Sequence, residues 1–314
     1  MYLSFSGYQC ANKCLLLYWH TYENHTNHGQ PDDRLGSIYG SAVGRIFELF
    51  YEKGIWKNKG SREVLIDMVE DVVDQLLKEA LEPRKGRPGG VIMWRGEDEG
   101  QNPRGMYYNR MELIRDVKST ITGGLKTIKE NTLLSNDARA EFRLDSEIEG
   151  HKIVGIADFL MTRYKIGDRV IVDGKGTQHA VFSDDGKYYG KYTDPEQLDW
   201  YSMLHREKFG TLPDKVAFLY WRYEPPANLK WVGVEEKDVD AMKTKLLDTI
   251  KKLEELGKEL AAPENKVPLK VVQEVYTPSA TQQNCQFCPY ATEELCPEGY
   301  LKREQIQKRY ESQR

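Results

Sequence analysis

The stretch Gly155–Lys175, GIADFLMTRYKIGDRVIVDGK, constrains this chain more than any other. It reads as two short strands joined by a turn at Gly167-Asp168, with Asp158 on the first strand and Asp173-Gly174-Lys175 closing the second. Side chains alternate across a strand, so Asp173 and Lys175 leave the backbone on the same side. A register that sets Asp158 alongside brings two carboxylates and an ammonium to one point. Paired carboxylates are costly unless a cation neutralises them, and a divalent metal ion does so.

The hairpin belongs to a longer run of strands. From Ala140, AEFRLDSEIEG and HKIVGIADFLMTRYK alternate, and Glu149-Gly150 supplies the turn of a small antiparallel meander. Glu141 begins the first of these strands and points into the same neighbourhood. Helical periodicity flanks the block. Ser4 to Trp19 opens with small capping residues and becomes apolar; Ile38–Lys53, Ser61–Glu82, Met106–Asn131, Pro195–Phe209 and Glu235–Leu260 follow. Lys215–Tyr223 is a buried type of strand, and Tyr300–Arg314 is a basic helix. Gly40, Ser41, Ala42 and Gly44 predict close packing of one helix, which also carries Glu48 within an apolar run. Such a glutamate needs a partner, either a salt bridge at a helix edge or a metal ion. Strands alternating with helices predict an α/β fold, and no linker forces a division of residues 1–314.

A net charge of −4 gives no global basic signature, so affinity for nucleic acid has to come from local patches or from a bound ion. Lys118, Lys126 and Lys129 make a modest basic face that reads first as solvated surface and second as a phosphate contact. His20, His25 and His28 lack a regular spacing and read as part of a solvated loop. The apolar runs are short and the first residues have no basic-then-apolar pattern, which predicts a soluble, cytoplasmic protein with no membrane partner. Five cysteines, an odd number, suit metal ligands or free thiols better than a disulfide framework.

The residues themselves suit hydrolysis of a phosphodiester. Asp158 and Asp173, with the Gly174 carbonyl, suit Mg2+ or Mn2+, and Lys175 suits orienting or deprotonating a water. Gln197 and Tyr201 share a helix face one turn apart. Cys285-x-x-Cys288 beside Pro289, with a further Cys296-Pro297, is not a core-packing pattern and suits metal ligands, with free thiols as the alternative.

Together these stretches resemble the RecB-type branch of the PD-(D/E)XK nuclease superfamily. That family carries G-x-x-x-H-x-x-x-E on a helix, then G-x-x-D, (D/E)-x-K and Q-x-x-x-Y. Here the corresponding segments are Gly40 to Glu48, Gly155 to Asp158, Asp173 to Lys175 and Gln197 to Tyr201, with Gly44 where the family has a metal-binding histidine. The resemblance implies a restriction-endonuclease-like core, a central mixed β-sheet flanked by helices, with residues 54–135 as a helical insertion. It implies catalytic roles for Asp158, Asp173, Lys175, Gln197, Tyr201 and Glu48, and a metal held by Asp158, Asp173, Gly174 and Glu48. The AddB-type and CRISPR-associated RecB-like members use one cysteine before the core and three after it to hold an iron–sulfur cluster. By that likeness Cys14, Cys285, Cys288 and Cys296 hold a 4Fe–4S cluster, with zinc as the other occupant, joining segments 1–20 and 277–314. Cys10 is then the spare thiol.

The function implied is a metal-dependent DNA nuclease, an exonuclease or end-processing enzyme on single-stranded or unwound DNA. Its setting would be recombination, replication or defence, in the host cytoplasm if phage-encoded, with recombination or replication proteins as partners. Trp94 or Tyr107-Tyr108 are candidates for stacking on bases. The alternative is a catalytically weak DNA-binding or assembly protein on the same fold, for which Gly44 speaks.

Overall fold

The computed structural model describes residues 1–24, 35–82, 92, 94, 109–175, 181–182, 188–189, 195–220, 229–260, 269–285 and 288–312. His25, His28, Tyr107 and Tyr108 lie outside these.

In chain order the elements are β1 (Tyr2–Ser4), α1 (Phe5–Lys13), α2 (Leu15–Tyr18), α3 (Leu35–Glu52), α4 (Ser61–Leu81), α5 (Arg110–Glu130), β2 (Arg139–Ile148), β3 (His151–Thr162) and β4 (Arg169–Lys175). Then come β5 (Val181–Phe182), β6 (Tyr188–Tyr189), α6 (Glu196–Phe209), β7 (Lys215–Tyr220), β8 (Leu229–Val232), α7 (Glu236–Leu260), α8 (Leu269–Val275), α9 (Gln282–Cys285) and α10 (Pro297–Ser312). A π-helical turn, Trp19–Glu23, continues α2, and a 3-10 turn, Ile55–Lys57, follows α3.

The main sheet runs β1-β3-β4-β7-β8, with β2 also paired to β3. β1 with β3 and β4 with β7 are parallel; the other pairs are antiparallel, so the sheet is mixed. Strand alternation divides its side chains between two cores. Val216, Phe218 and Tyr220 of β7 face one core, built with Trp200, Leu204 and Leu246 of α6 and α7. Ala217 and Leu219 face the other, built with Phe47, Phe50, Val69 and Ile121 of α3, α4 and α5. Each large apolar side chain buried this way contributes about 1.5–3 kcal/mol, which is why the sheet is covered on both faces.

Local chemistry sets the element ends. Ser4 caps α1, its Oγ accepting from Gly7 N–H at 3.2 Å. Asn109 caps α5 by accepting from Glu112 N–H at 2.9 Å. The β2–β3 turn at Glu149-Gly150 has positive φ at both positions, 50° and 78°, the geometry a tight two-residue hairpin needs. At the β3–β4 hairpin, Arg163 forks onto Asp168 and lies 4.9 Å from the Trp231 ring.

The short strands β1 and β8 and the helix α8 carry too little pattern to be read from sequence. Gly40 and Gly44 depart from the expectation of close packing: a Cβ at either meets nothing within 4 Å. Their side of α3 faces open space, while Ala42, Val43, Ile46 and Phe47 face the core. No helix among the described residues is long and apolar enough to cross a membrane.

Candidate active site

The site forms where β3 and β4 part. Their ladder runs from Thr162↔Arg169 to Phe159↔Val172 and stops there. At the next level Asp158 Oδ2 accepts the Gly174 N–H at 2.5 Å, a side-chain carboxylate taking the place of a ladder carbonyl. β4 stays straight because β7 holds its other edge, pairing Asp173↔Phe218, Gly174↔Leu219 and Lys175↔Tyr220.

Asp173 and Lys175 leave β4 on the same side, as the alternation predicts. Lys175 Nζ lies 2.6 Å from Asp173 Oδ2, and it donates to Gln197 Oε1 at 2.7 Å. Gln197 Nε2 in turn donates to Asp173 Oδ1 at 2.9 Å and to the Tyr201 hydroxyl at 2.8 Å. The single hydroxyl proton of Tyr201 goes to the Ile156 carbonyl at 2.8 Å. The structure therefore brings Asp158, Asp173, Lys175, Gln197 and Tyr201 into one connected group. Trp200 Nε1, donating to Val154 O at 3.2 Å, fixes α6 on β3. Gly155 is required by this approach, since a Cβ there would sit 2.9 Å from Leu204 Cδ1 and 3.0 Å from the Tyr201 ring.

Glu141 joins the group from β2. The β2–β3 register passes from Ala140↔Phe159 to Phe142↔Ala157, leaving Glu141 opposite Asp158. Its φ is 46°, a left-handed backbone that costs a non-glycine residue about 1–3 kcal/mol and is typical of functional sites. At the same level the side chains change faces: Ala157 packs in one core and Phe159 in the other. The strand pattern places Glu141 only roughly, because a positive φ at glutamate leaves no trace in sequence.

Burial is the largest influence on all three acids and raises them. Asp158 stands well above the usual carboxylate range through burial, then through the Asp173 and Glu141 charges, against the pull of Gly174 N–H and Lys175. Glu141 is raised by burial, then by Glu48 and Asp173. Burial raises Asp173 too, with Lys175 opposing. Asp173 Oδ2 is buried and, among the described residues, lacks a well-directed hydrogen bond despite its close ionic contact with Lys175. This excess of confined negative charge fits a divalent cation. As the side chains stand, no three His, Cys, Asp or Glu among the described residues are gathered tightly enough to hold an ion. Asp158 and Asp173 are instead held by Gly174 N–H and Lys175.

A cleft of about 580 Å3 opens beside the acids, lined by Asp158, Glu141 and Gly174 on the strands and by Arg45 and Glu48 on α3. Gly174, whose carbonyl the motif assigns to an ion, meets Asp158 through its N–H. Glu48 is ion-paired to Arg45. Lys118 is bound to Glu70 at 2.8 Å, the solvated ion-pair alternative for that basic face. Trp94 packs against a core cluster.

A second group lies where the chain's two ends meet. Cys14, Cys285, Cys288 and Cys296 line one small space of about 20 Å3. Ser279 N–H lies 3.4 Å from Cys14 Sγ, and Asn284 Nδ2 donates to Lys13 O at 3.0 Å. A Cβ on Gly299 would come within 2.9 Å of Cys296 Sγ, so the glycine leaves that thiol its room. Arg303 donates to the carbonyls of Cys285 and Cys288. Burial above all, and neighbouring thiols after it, raise Cys285, Cys288 and Cys296. Cys285 and Cys296 are buried, Cys14 and Cys288 half-buried; thiols are the donors a thiolate-bound metal uses, but as they stand these four are not gathered tightly enough to hold one. Cys10 lies within electrostatic reach of Cys14 and Cys288 and, chiefly by burial, is pushed up to about 12. His20 is a core histidine, stacked 4.9 Å from the Tyr290 ring.

A mixed sheet with helices on both faces, parted at an Asp, Asp-x-Lys and Gln-x-x-x-Tyr constellation, defines a nuclease-type core. The family model of the PD-(D/E)XK nuclease superfamily matches residues 2–297, and the chain belongs to that family. No curated protein matches it. The crystal structure of a Eubacterium rectale protein, provisionally described as an exonuclease, is similar over 80% of each chain, at 15% identity and a TM-score of 0.44.

Proposed function

We propose that this protein is a divalent-metal-dependent deoxyribonuclease of the RecB-like, iron–sulfur kind. It trims or processes ends of single-stranded or unwound DNA in recombination, replication or defence. The observation that carries the proposal is the hydrogen-bonded set Asp173–Lys175–Gln197–Tyr201 with Asp158 and Glu141 beside an open cleft.

Asp158, Asp173 and Glu141, with the Gly174 carbonyl, would hold Mg2+ or Mn2+, which stabilises charge on the phosphoryl oxygens. Lys175, held as an ammonium by Gln197 and Asp173, orients the attacking water and by its charge favours loss of the water's proton to a neighbouring carboxylate or to solvent. Tyr201 fixes Gln197 and the Ile156 carbonyl, so the lysine is positioned by a helix and two strands. Cys14, Cys285, Cys288 and Cys296 hold a 4Fe–4S cluster that makes segments 1–20 and 277–314 one subdomain. Zinc is the second reading, since four thiolates also suit a tetrahedral zinc site.

The test is incubation of end-labelled single- and double-stranded DNA with Mg2+ or Mn2+, beside a Lys175→Ala control. Metal-dependent loss of label by wild type alone is expected. Equal inertness of both proteins would leave the DNA-binding alternative. A brown preparation absorbing near 400 nm marks iron–sulfur, and a colourless one with stoichiometric zinc excludes it.

A further inference from the structure

Glu48 lines the cleft from α3, across from Asp158, Glu141 and Gly174 on the strands, and its charge raises Glu141. Its side chain is mostly buried, 15% exposed, and is held by Arg45 one turn back on α3, which is 52% exposed. Among the described residues lining the cleft Arg45 is the one cation, beside Glu48 and Glu79 on its own wall and sharing the cleft with Glu141 and Asp158. A polyanionic strand cannot approach four carboxylates without positive charge on the wall. A metal ion would supply it at the acid core; Arg45 supplies it on α3. The helix surface around Arg45 is open, since Gly40 and Gly44 present no side chain to it.

We propose that Arg45 is a substrate-binding residue that takes a phosphate of the nucleic-acid strand entering the cleft, with Glu48 holding the guanidinium in place until the phosphate arrives. This rests on the nuclease reading and names the residue that would engage the strand beyond the acid core. Ion pairs with one partner half in water are weak, so the exchange of carboxylate for phosphate costs little. The guanidinium fork matches a phosphate at two oxygens, which an ammonium cannot do.

The test is fluorescence polarisation of a labelled single-stranded oligonucleotide with Ca2+ present, over a range of salt, for wild type, Arg45→Gln, Arg45→Lys and Glu48→Gln. Mn2+ binding is measured in parallel by calorimetry. Arg45→Gln should bind the oligonucleotide about tenfold more weakly, and its log–log salt slope should be shallower by about 0.7, the value of one lost single-strand phosphate contact. Arg45→Lys should restore the slope but not the full affinity. Glu48→Gln should keep the wild-type salt slope, because Arg45 is still there to take the phosphate. An unchanged slope in Arg45→Gln, or a slope in Glu48→Gln as shallow as that of Arg45→Gln, overturns the assignment. If wild type binds neither ion nor oligonucleotide, the nuclease reading fails with it; if wild type binds both and Arg45→Gln matches it, the Arg45 role alone is wrong.

Discussion

Replacing Lys175 by methionine keeps most of the side chain's length and removes its charge beside a buried carboxylate. The losses are the 2.6 Å ionic contact with Asp173, the 2.7 Å hydrogen bond to Gln197 and the cation–ring contact with Phe218 at 5.4 Å. Removing one partner of a buried pair costs about 3–5 kcal/mol when the other stays charged. At about 2 °C per kcal/mol for a chain of this size, the metal-free melting temperature falls by roughly 6–10 °C. Asp173 can escape this cost by binding a proton. Burial already raises it and Lys175 opposes that rise, so the variant raises it further. A carboxyl raised by folding contributes stability that is fully present below its unfolded value, about 4, and is lost as pH rises through its folded value. The deficit of Lys175→Met should therefore be small near pH 4–5 and reach its full size by pH 8. Differential scanning fluorimetry in EDTA at both pH values measures this. Equal deficits at the two pH values, or none at pH 8, would refute the buried-pair account. Loss of catalysis should persist when Mg2+ or Mn2+ is added, by about 100- to 10,000-fold if the lysine serves in proton transfer.

Other perturbations separate the parts of the site. Asp158→Asn should raise the metal-free melting temperature at pH 8, because an acid raised by burial and by Asp173 destabilises the fold once ionised; the same variant should lose the stabilisation that Mn2+ gives wild type, and a lower melting temperature in EDTA would contradict this. Gly155→Ala forces a Cβ to 2.9 Å from Leu204 and 3.0 Å from Tyr201, which should cost about 1–3 kcal/mol and lower activity by tilting Tyr201; unchanged activity by end-label assay would mean that Tyr201 does not position the lysine. Cys285→Ser should increase hydrogen exchange in residues 1–20 and 277–312 before it does so in β3 and β4. Uniform loosening would show that the cysteine group is not a local staple.

The hairpin and the convergence of its side chains were legible because they follow from period two: the side shared by Asp173 and Lys175 needs only their spacing. Gln197 and Tyr201 were legible for the matching reason on a helix, one turn apart. Glu141's part in the site was only partly legible, since it depends on a left-handed backbone at a residue that does not favour one. Gly40 and Gly44 misled, because small residues fit tight packing and open walls equally well; only the surroundings tell which. Arg45 carried no signal at all, as a charged residue on an amphipathic helix is ordinary until its neighbours in space are known. The cysteine spacing marked the trio Cys285, Cys288 and Cys296, which lines one small space with Cys14, but not that Cys10 stands within electrostatic reach of Cys14 and Cys288.

The central claim is that the acids at the strand parting hold the ion on which cleavage depends. Mn2+ binding by calorimetry, paired with cleavage of end-labelled single-stranded DNA across the same Mn2+ concentrations, tests it in wild type, Asp158→Asn and Asp173→Asn. Wild type should bind and cleave with the same half-saturation, and each variant should lose both together. Cleavage in EDTA, or variants that cleave normally without binding Mn2+, would contradict it.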